Sequence, residues 1–189
     1  MNSRLSDNLR EKFYIKLYFN IRNGFELAGI RRAFLDFSRT LKIKDESRTD
    51  LKQKAEKYIL VELKTILERQ LTSQEEFDNQ HKAWCKGLKL IWDELSFGQT
   101  QKWINMTLKY WLLFGNKRIK GIDLNSKYYH IPIDNNVLKG MFGVRNPNPW
   151  SRISDYDIYM KYQLEHRMKN TGNYPIIDEF IFFNDYEAN

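Results

Sequence analysis

The segment from Trp103 to Leu113 constrains the fold of this chain more than any other. Eight of its eleven residues are apolar or aromatic, and they leave almost no polar face if the segment is helical. Such a helix must be covered by other elements on several sides. The sequence therefore predicts a central buried helix, opening at Gly98, around which the rest of the chain packs.

Helical spacing of apolar residues dominates elsewhere too. Leu9, Phe13 and Leu17 recur at every fourth position, and Ser73 followed by Glu76 predicts a capping box at a helix start. The other predicted segments are a second N-terminal helix through Phe37, an amphipathic helix from Thr49, a short helix from Asn135, a turn at 146–149, a long helix from Ser154 to about Met168 and a final apolar piece after Pro175.

These segments predict an all-α protein, a compact orthogonal helical domain of about eight helices. With 189 residues, the chain can bury a sizeable core as one domain over 1–189. It lacks an uninterrupted apolar run of membrane-spanning length and an apolar leader, so we expect neither a membrane span nor secretion. The single cysteine, Cys85, predicts a buried small hydrophobe and fits the reducing cytoplasm. We expect a monomer.

The net charge of +7 is unevenly distributed. Residues 154–189 carry 3 basic and 7 acidic side chains, whereas residues 82–152 carry 12 basic and 4 acidic. A basic surface of this kind favours a phosphate backbone as partner, because each neutralised phosphate releases counterions. Solvated lysine faces produce the same composition, so charge alone does not establish nucleic-acid binding.

Two short segments carry candidate chemistry. Lys102 follows Gly98 by four residues and lies just inside the central helix. Pro132 disfavours helix at Ile131, so residues 128–133 are predicted to be extended, and Asp134 then caps the next helix. A lysine and a carboxylate that converge in one pocket provide a nucleophile and its electrostatic partner.

This arrangement resembles the catalytic segment of the helix-hairpin-helix DNA glycosylases, and most closely their archaeal 8-oxoguanine glycosylase branch. The resemblance covers roughly residues 88–145 and includes the hairpin glycine, Lys102, the Ile-Pro-Ile lead-in and Asp134, which follows the lysine by 32 residues. Thr100 stands where the family's hairpin usually has a second glycine.

The resemblance implies base-excision DNA glycosylase activity with AP lyase activity, through a lysine Schiff base and without a cofactor. Lys102 would be the nucleophile, and Asp134 would stabilise the positive charge that develops on the sugar. The target base would leave the duplex stack and enter a pocket. The predicted pocket residues are Trp103, Asn105, Met106 and His130.

The partner implied is double-stranded DNA that contains a damaged or modified base. In the family the hairpin binds phosphates through backbone N–H groups at the helix start. The predicted DNA-binding residues are Phe97, Gly98, Gln99, Thr100, Gln101, Lys117, Arg118 and Lys120. We expect the hairpin and the basic loop at 117–120 to flank one groove.

Two other functions also fit the sequence, a non-catalytic helical DNA-binding protein and a protein-interaction module with aromatic-rich helices. His81, His130 and His166 are widely spaced and no cysteine pair exists, so we predict no metal site. The chain carries no P-loop, dinucleotide fingerprint or serine nucleophile elbow. The identity of the base, and a role in repair or in defence against foreign DNA, are not specified by the sequence.

Overall fold

The structure, a computed structural model, describes residues 6–41, 47–143, 149–169 and 172–186. Within these ranges it contains helices and turns but no strand, which confirms the all-α prediction. The eight α-helices described are α1 (Asp7–Tyr18), α2 (Phe25–Phe37), α3 (Ser47–Lys64), α4 (Gln74–Ile91), α5 (Phe97–Phe114), α6 (Asn135–Phe142), α7 (Tyr156–Lys169) and α8 (Pro175–Tyr186).

Helix α5 is the centre of the fold, as predicted. Every residue from Gly98 to Trp111 is buried, and α2 packs along its length. The indole N–H groups of Trp103 and Trp111 donate to backbone carbonyls of α2, Ile30 and Glu26, each at 3.0 Å. A Cβ atom added at Gly29 would lie 2.7 Å from the Trp111 ring, so the close approach of α2 to α5 requires glycine there.

The hydrogen bonds that cap the helix starts agree only in part with those predicted from the sequence. Ser73 caps α4 by accepting the Glu76 N–H at 3.1 Å, but the Glu76 carboxylate accepts from the Thr72 N–H instead of the Ser73 N–H. The predicted capping box is therefore wrong in its second half. A complete one occurs at α5, where Ser96 and Gln99 each accept the other's backbone N–H, at 3.1 and 3.0 Å.

The apolar row on α1 does not enter the core. Leu9, Phe13 and Leu17 are each more than half exposed, and α1 contains no buried residue. The apolar residue at every fourth position thus predicts the helix correctly, but it does not predict whether other elements cover the apolar face.

Helix α7 begins after Asp155, whose carboxylate accepts the N–H of Asp157 at 2.8 Å, so the predicted start at Ser154 is wrong by one residue. Residues 146–148 of the predicted turn lie outside the described residues. Among the helices described, none is long and apolar enough to cross a membrane.

The connection from α5 to α6 positions the candidate site. After a 3₁₀ turn at Ser126–Tyr128, the backbone runs without helix through residues 129–133, and the side chains of Tyr129, Ile131 and Ile133 are fully buried. This segment delivers Asp134 to the N-terminus of α6, beside the first turns of α5.

Candidate active site

Lys102 and Asp134 are in direct contact, which confirms their predicted convergence. The Lys102 ammonium donates to Oδ2 of Asp134, and the two side chains are 4% and 19% exposed. The other carboxylate oxygen, Oδ1, accepts the N–H groups of Asn136 and Val137 at 2.9 Å each, which caps α6. Asp134 therefore has two roles, one structural and one electrostatic.

The electrostatics of the pair favour a carboxylate at Asp134. Burial alone opposes its ionisation, but the Lys102 charge and hydrogen bond, together with the N–H groups of Val137 and Asn136, outweigh that and lower the pKa of Asp134. A negative charge is thus kept beside the lysine amine.

The pair lies in the wall of a cavity of about 560 Å³ between α2, α5 and α8. This volume is within the range of small-molecule sites, roughly 300–1,000 Å³. The other lining residues are Arg32, Leu35 and Asp36 of α2, Arg39 of the 3₁₀ turn that follows it, Met106, Lys109, Tyr110 and Leu113 of α5, and Glu179, Phe180 and Phe183 of α8.

A second buried ion pair faces the same cavity. The ammonium of Lys109 contacts Glu179, and both side chains are less than 10% exposed. The same ammonium lies 5.0 and 5.2 Å from the ring centroids of Phe180 and Phe183, within cation–π range. The cavity therefore combines aromatic walls with fixed charges of both signs.

Of the four predicted pocket residues, Met106 alone lines this cavity. Trp103 is fully buried between α5 and α2, where it packs against Phe34 and Phe37. Asn105 and His130 are also fully buried and are engaged by other side chains. The prediction that Trp103, Asn105 and His130 line the pocket is wrong, because each is enclosed in the protein interior.

Asn105 and His130 belong to a buried polar network behind the site. Asn105 bonds to His81 and Tyr159 at 3.0 and 2.9 Å, and His130 joins Tyr159 to Asp78 through two contacts of 2.7 Å. Burial lowers the pKa of His130 to about 4, and it holds that of His81 well below the usual value. Both rings are therefore neutral at neutral pH.

Three N–H groups at the start of α5 already have acceptors within the protein. The Gly98 N–H donates to Ile153 at 3.1 Å, and the N–H groups of Gln99 and Thr100 are used by Ser96. A Cβ atom at Gly98 would lie 1.8 Å from the Trp150 carbonyl oxygen, so the segment before α7 covers this helix end.

The hairpin prediction is therefore wrong in its mechanism of DNA contact. Gly98, Gln99, Thr100 and Gln101 are buried, and the N–H groups of the first three are bonded within the protein, so they are not presented to a phosphate. Phe97 is partly buried. The turn before α5 also exposes two acids, Asp93 and Glu94, which repel phosphate.

The basic loop at 117–120 lies beyond the opposite end of α5. An 18-residue helix is about 27 Å long, so Lys117 and Lys120 do not flank the groove at the helix start. Both lysines are exposed, whereas Arg118 is paired with Glu11 at 2.8 Å. The expectation of one shared groove is wrong, because the length of α5 separates the two regions and they line different clefts.

Sequence reasoning missed several side chains that the fold brings to the site. Lys109 carries a usable signal, since a residue seven positions after Lys102 lies on nearly the same face of a helix. Arg39 lines both this cavity and an adjoining cleft of about 700 Å³, which Arg152 also lines. Glu179 and the two arginines carry no local pattern that singles them out.

No protein-family model matches this chain, and neither a curated protein nor a solved structure shows significant similarity to it. The chemistry of the site is therefore the basis for assigning a function. Among the residues described, no group of three or more histidine, cysteine, aspartate or glutamate side chains is arranged to hold a metal ion.

Proposed function

We propose that this protein is a base-excision DNA glycosylase with AP lyase activity, in which Lys102 is the nucleophile. The observation that carries the proposal is the contact between the Lys102 ammonium and the Asp134 carboxylate in the wall of a concave cavity. The resemblance of residues 88–145 to the helix-hairpin-helix glycosylases supports the same chemistry.

The cavity is the proposed binding site for the extruded base. Flipped bases are bound between aromatic or apolar side chains and read through hydrogen bonds to their edges. Met106, Phe180 and Phe183 supply apolar contacts, and the carboxylates of Asp36 and Glu179 supply acceptors. A base with exposed N–H groups is the ligand class that such acceptors favour.

In the reaction, the bond between C1′ and the base nitrogen breaks, and its electron pair leaves with the base, which takes up a proton. The sugar acquires positive charge, which the Asp134 carboxylate stabilises. Lys102 gives up a proton, attacks C1′ as the free amine and forms a Schiff base after a second proton is lost and the sugar ring opens. Loss of a proton from C2′ of this intermediate, with departure of the 3′ phosphate and its bonding electrons, then cleaves the strand and leaves a double bond in the sugar.

The DNA backbone is proposed to contact the arginines around the cavity instead of the start of α5. Arg39 and Arg152 are exposed, and Arg39 lies where the cavity and the adjoining cleft meet. Arginine binds phosphate oxygens in a bidentate manner, which would fix the register of the duplex over the Lys102 cavity.

Borohydride trapping tests the proposal. The wild-type protein is incubated with duplexes that contain an abasic site or single modified bases, and covalent adducts are resolved on a denaturing gel. We expect an adduct with wild type and none with Lys102→Gln, which lacks the amine and is assayed at a temperature where circular dichroism shows it to be folded. Absence of a wild-type adduct on abasic DNA would overturn the lyase assignment, and absence of base release from every duplex would overturn the glycosylase assignment.

A further inference from the structure

We propose that Gln101 is a positioning residue for the Lys102–Asp134 pair, because its side chain fixes the backbone of the residue that precedes Asp134. The inference rests on the proposed function for its kinetic consequence, although its geometric part is independent of DNA. Gln101 does not line the cavity, and the role that we propose for it involves no direct contact with substrate.

The Gln101 amide binds both polar groups of the Ile133 backbone. Its Nε2 donates to the Ile133 carbonyl at 2.8 Å, and its Oε1 accepts the Ile133 N–H at 3.2 Å. Nε2 also donates to the Gly98 carbonyl at 2.9 Å, and Oε1 accepts from Asn105 at 3.0 Å. Two donors and two acceptor sites are all that a glutamine amide has, so its bonding capacity is used completely.

The surroundings permit one orientation of this amide. The carbonyls of Gly98 and Ile133 only accept hydrogen bonds, so Nε2 must face them and Oε1 must face the Ile133 N–H. Asn105 must then present its own NH₂ group to Gln101, which leaves its oxygen to accept from the ring N–H of neutral His81. If the Gln101 amide were flipped, its NH₂ group would face the Ile133 N–H, donor to donor, so only one orientation is stable.

The fixed Gln101 amide affects the Lys102–Asp134 pair because the two sets of contacts join neighbouring residues. Gln101 and Lys102 are consecutive in α5, and they hold Ile133 and Asp134, which are also consecutive. The position of the Asp134 carboxylate relative to the lysine amine is therefore set from the backbone as well as from the ion pair. A misplacement of about 1 Å in such a constellation costs about 100-fold in rate.

Gln163 provides a matched control on the same segment. It is fully buried and its Nε2 donates to the Ile131 carbonyl at 2.7 Å, three residues before Asp134. Gln101→Met and Gln163→Met each remove a buried amide with little change in volume. Only Gln101→Met removes the hydrogen bonds to Ile133, the residue next to Asp134.

Single-turnover Schiff-base formation on abasic DNA is measured at saturating protein, at a temperature where both variants are folded. We expect Gln101→Met to slow it by about 10- to 100-fold, with DNA affinity within about threefold, and Gln163→Met to stay within about threefold of wild type. If Gln101→Met does not fold, Gln101→Asn, whose amide is one methylene too short for both contacts, replaces it with the same expectation. Equal rates for the Gln101 and Gln163 variants would overturn the inference.

A second measurement needs no DNA. The ¹³C resonance of the Asp134 carboxyl, assigned by its loss in Asp134→Asn, is followed against pH in the free protein. Loss of the lysine contact should move the pKa of Asp134 up in Gln101→Met and leave it unchanged in Gln163→Met. An unchanged titration in Gln101→Met would refute positioning whatever the enzymatic result, and a wild type inactive on DNA with the expected titration would refute the proposed function alone.

Discussion

Lys102 and Lys109 lie seven residues apart on one face of α5, and each is paired in the protein interior with a carboxylate from another element. Asp134, at the start of α6, holds the first lysine, and Glu179 of α8 holds the second. Both ammonium groups face one cavity. The two lysines are alike in burial and pairing, so each is a control for the other.

The first prediction uses this similarity. Lys102→Gln should abolish borohydride trapping on abasic DNA, whereas Lys109→Gln should keep it, because abasic DNA places no base in the cavity and the attacking amine remains. Both variants leave a buried carboxylate without its lysine, so both should lose stability to a similar extent. Trapping lost equally in the two variants would mean that the loss reflects stability and not the nucleophile.

The second prediction concerns the charge of Asp134. Asp134→Asn keeps an oxygen to cap α6, but it leaves the buried Lys102 ammonium without a counter-charge. We expect base release to fall at least about 100-fold and the free energy of unfolding to fall by about 1–3 kcal/mol. Single-turnover excision and urea unfolding measure the two effects.

Asp155→Asn is the control for that variant. Asp155 also caps a helix, accepting the Asp157 N–H at 2.8 Å, but it is exposed and holds no lysine. This variant should retain wild-type excision. Wild-type excision in Asp134→Asn as well would remove the carboxylate charge from the mechanism.

The third prediction locates the DNA-binding surface. Replacing Arg39 and Arg152 together with alanine should weaken binding to all duplexes and lower the slope of log affinity against log salt by about two phosphate contacts. Replacing Lys117 and Lys120, which are exposed beyond the other end of α5, should leave affinity within about twofold. The measurement is fluorescence anisotropy over a series of salt concentrations, and the reverse ranking of the two double variants would place the duplex at the far end of α5.

The fourth prediction concerns acid stability. The pKa of His130 is about 4 in the folded protein, against an ordinary value near 6.5, because burial disfavours the charged ring. The unfolded chain therefore binds the proton more readily, and the stability present above about pH 6.5 is lost as pH falls toward 4. At pH 5 the loss from His130 alone is about 2 kcal/mol, and His81 and His166 shift in the same direction.

Urea unfolding at pH 7 and pH 5 measures this effect, and the window lies above the ordinary pKa values of unfolded carboxyl groups. His130→Gln should reduce the difference between the two pH values by about 2 kcal/mol. Identical unfolding free energies for wild type at the two pH values would show that the histidines are not neutral in the folded state.

Two residues of α5 show why the lining of the cavity could not be predicted from the sequence. Periodicity places Met106 about 40° to one side of Lys102 and Asn105 about 60° to the other, since successive residues turn by about 100°. Both were therefore equally good pocket candidates. The fold separates them, because α8 and α2 leave a cavity beside Met106, while His81 of α4 and Tyr159 of α7 bind the side chain of Asn105 in the interior.

The sequence by itself determined the elements that depend on local interactions. These are the helical segments, the central position of α5, and Asp134 as the cap of α6, all of which follow from apolar spacing and from hydrogen bonds within a few residues. The Lys102–Asp134 contact was anticipated only through the order of the two motifs and their family resemblance.

Only the tertiary structure decided what covers each face. The backbone N–H of Gly98 is bound by Ile153, a residue far along the chain, and this closes the helix start that the hairpin motif presents as open. In the same way, the apolar row of α1 stays exposed and Glu179 reaches Lys109 from α8. Spacing along one helix specifies the direction of a side chain, whereas its environment depends on contacts between distant segments.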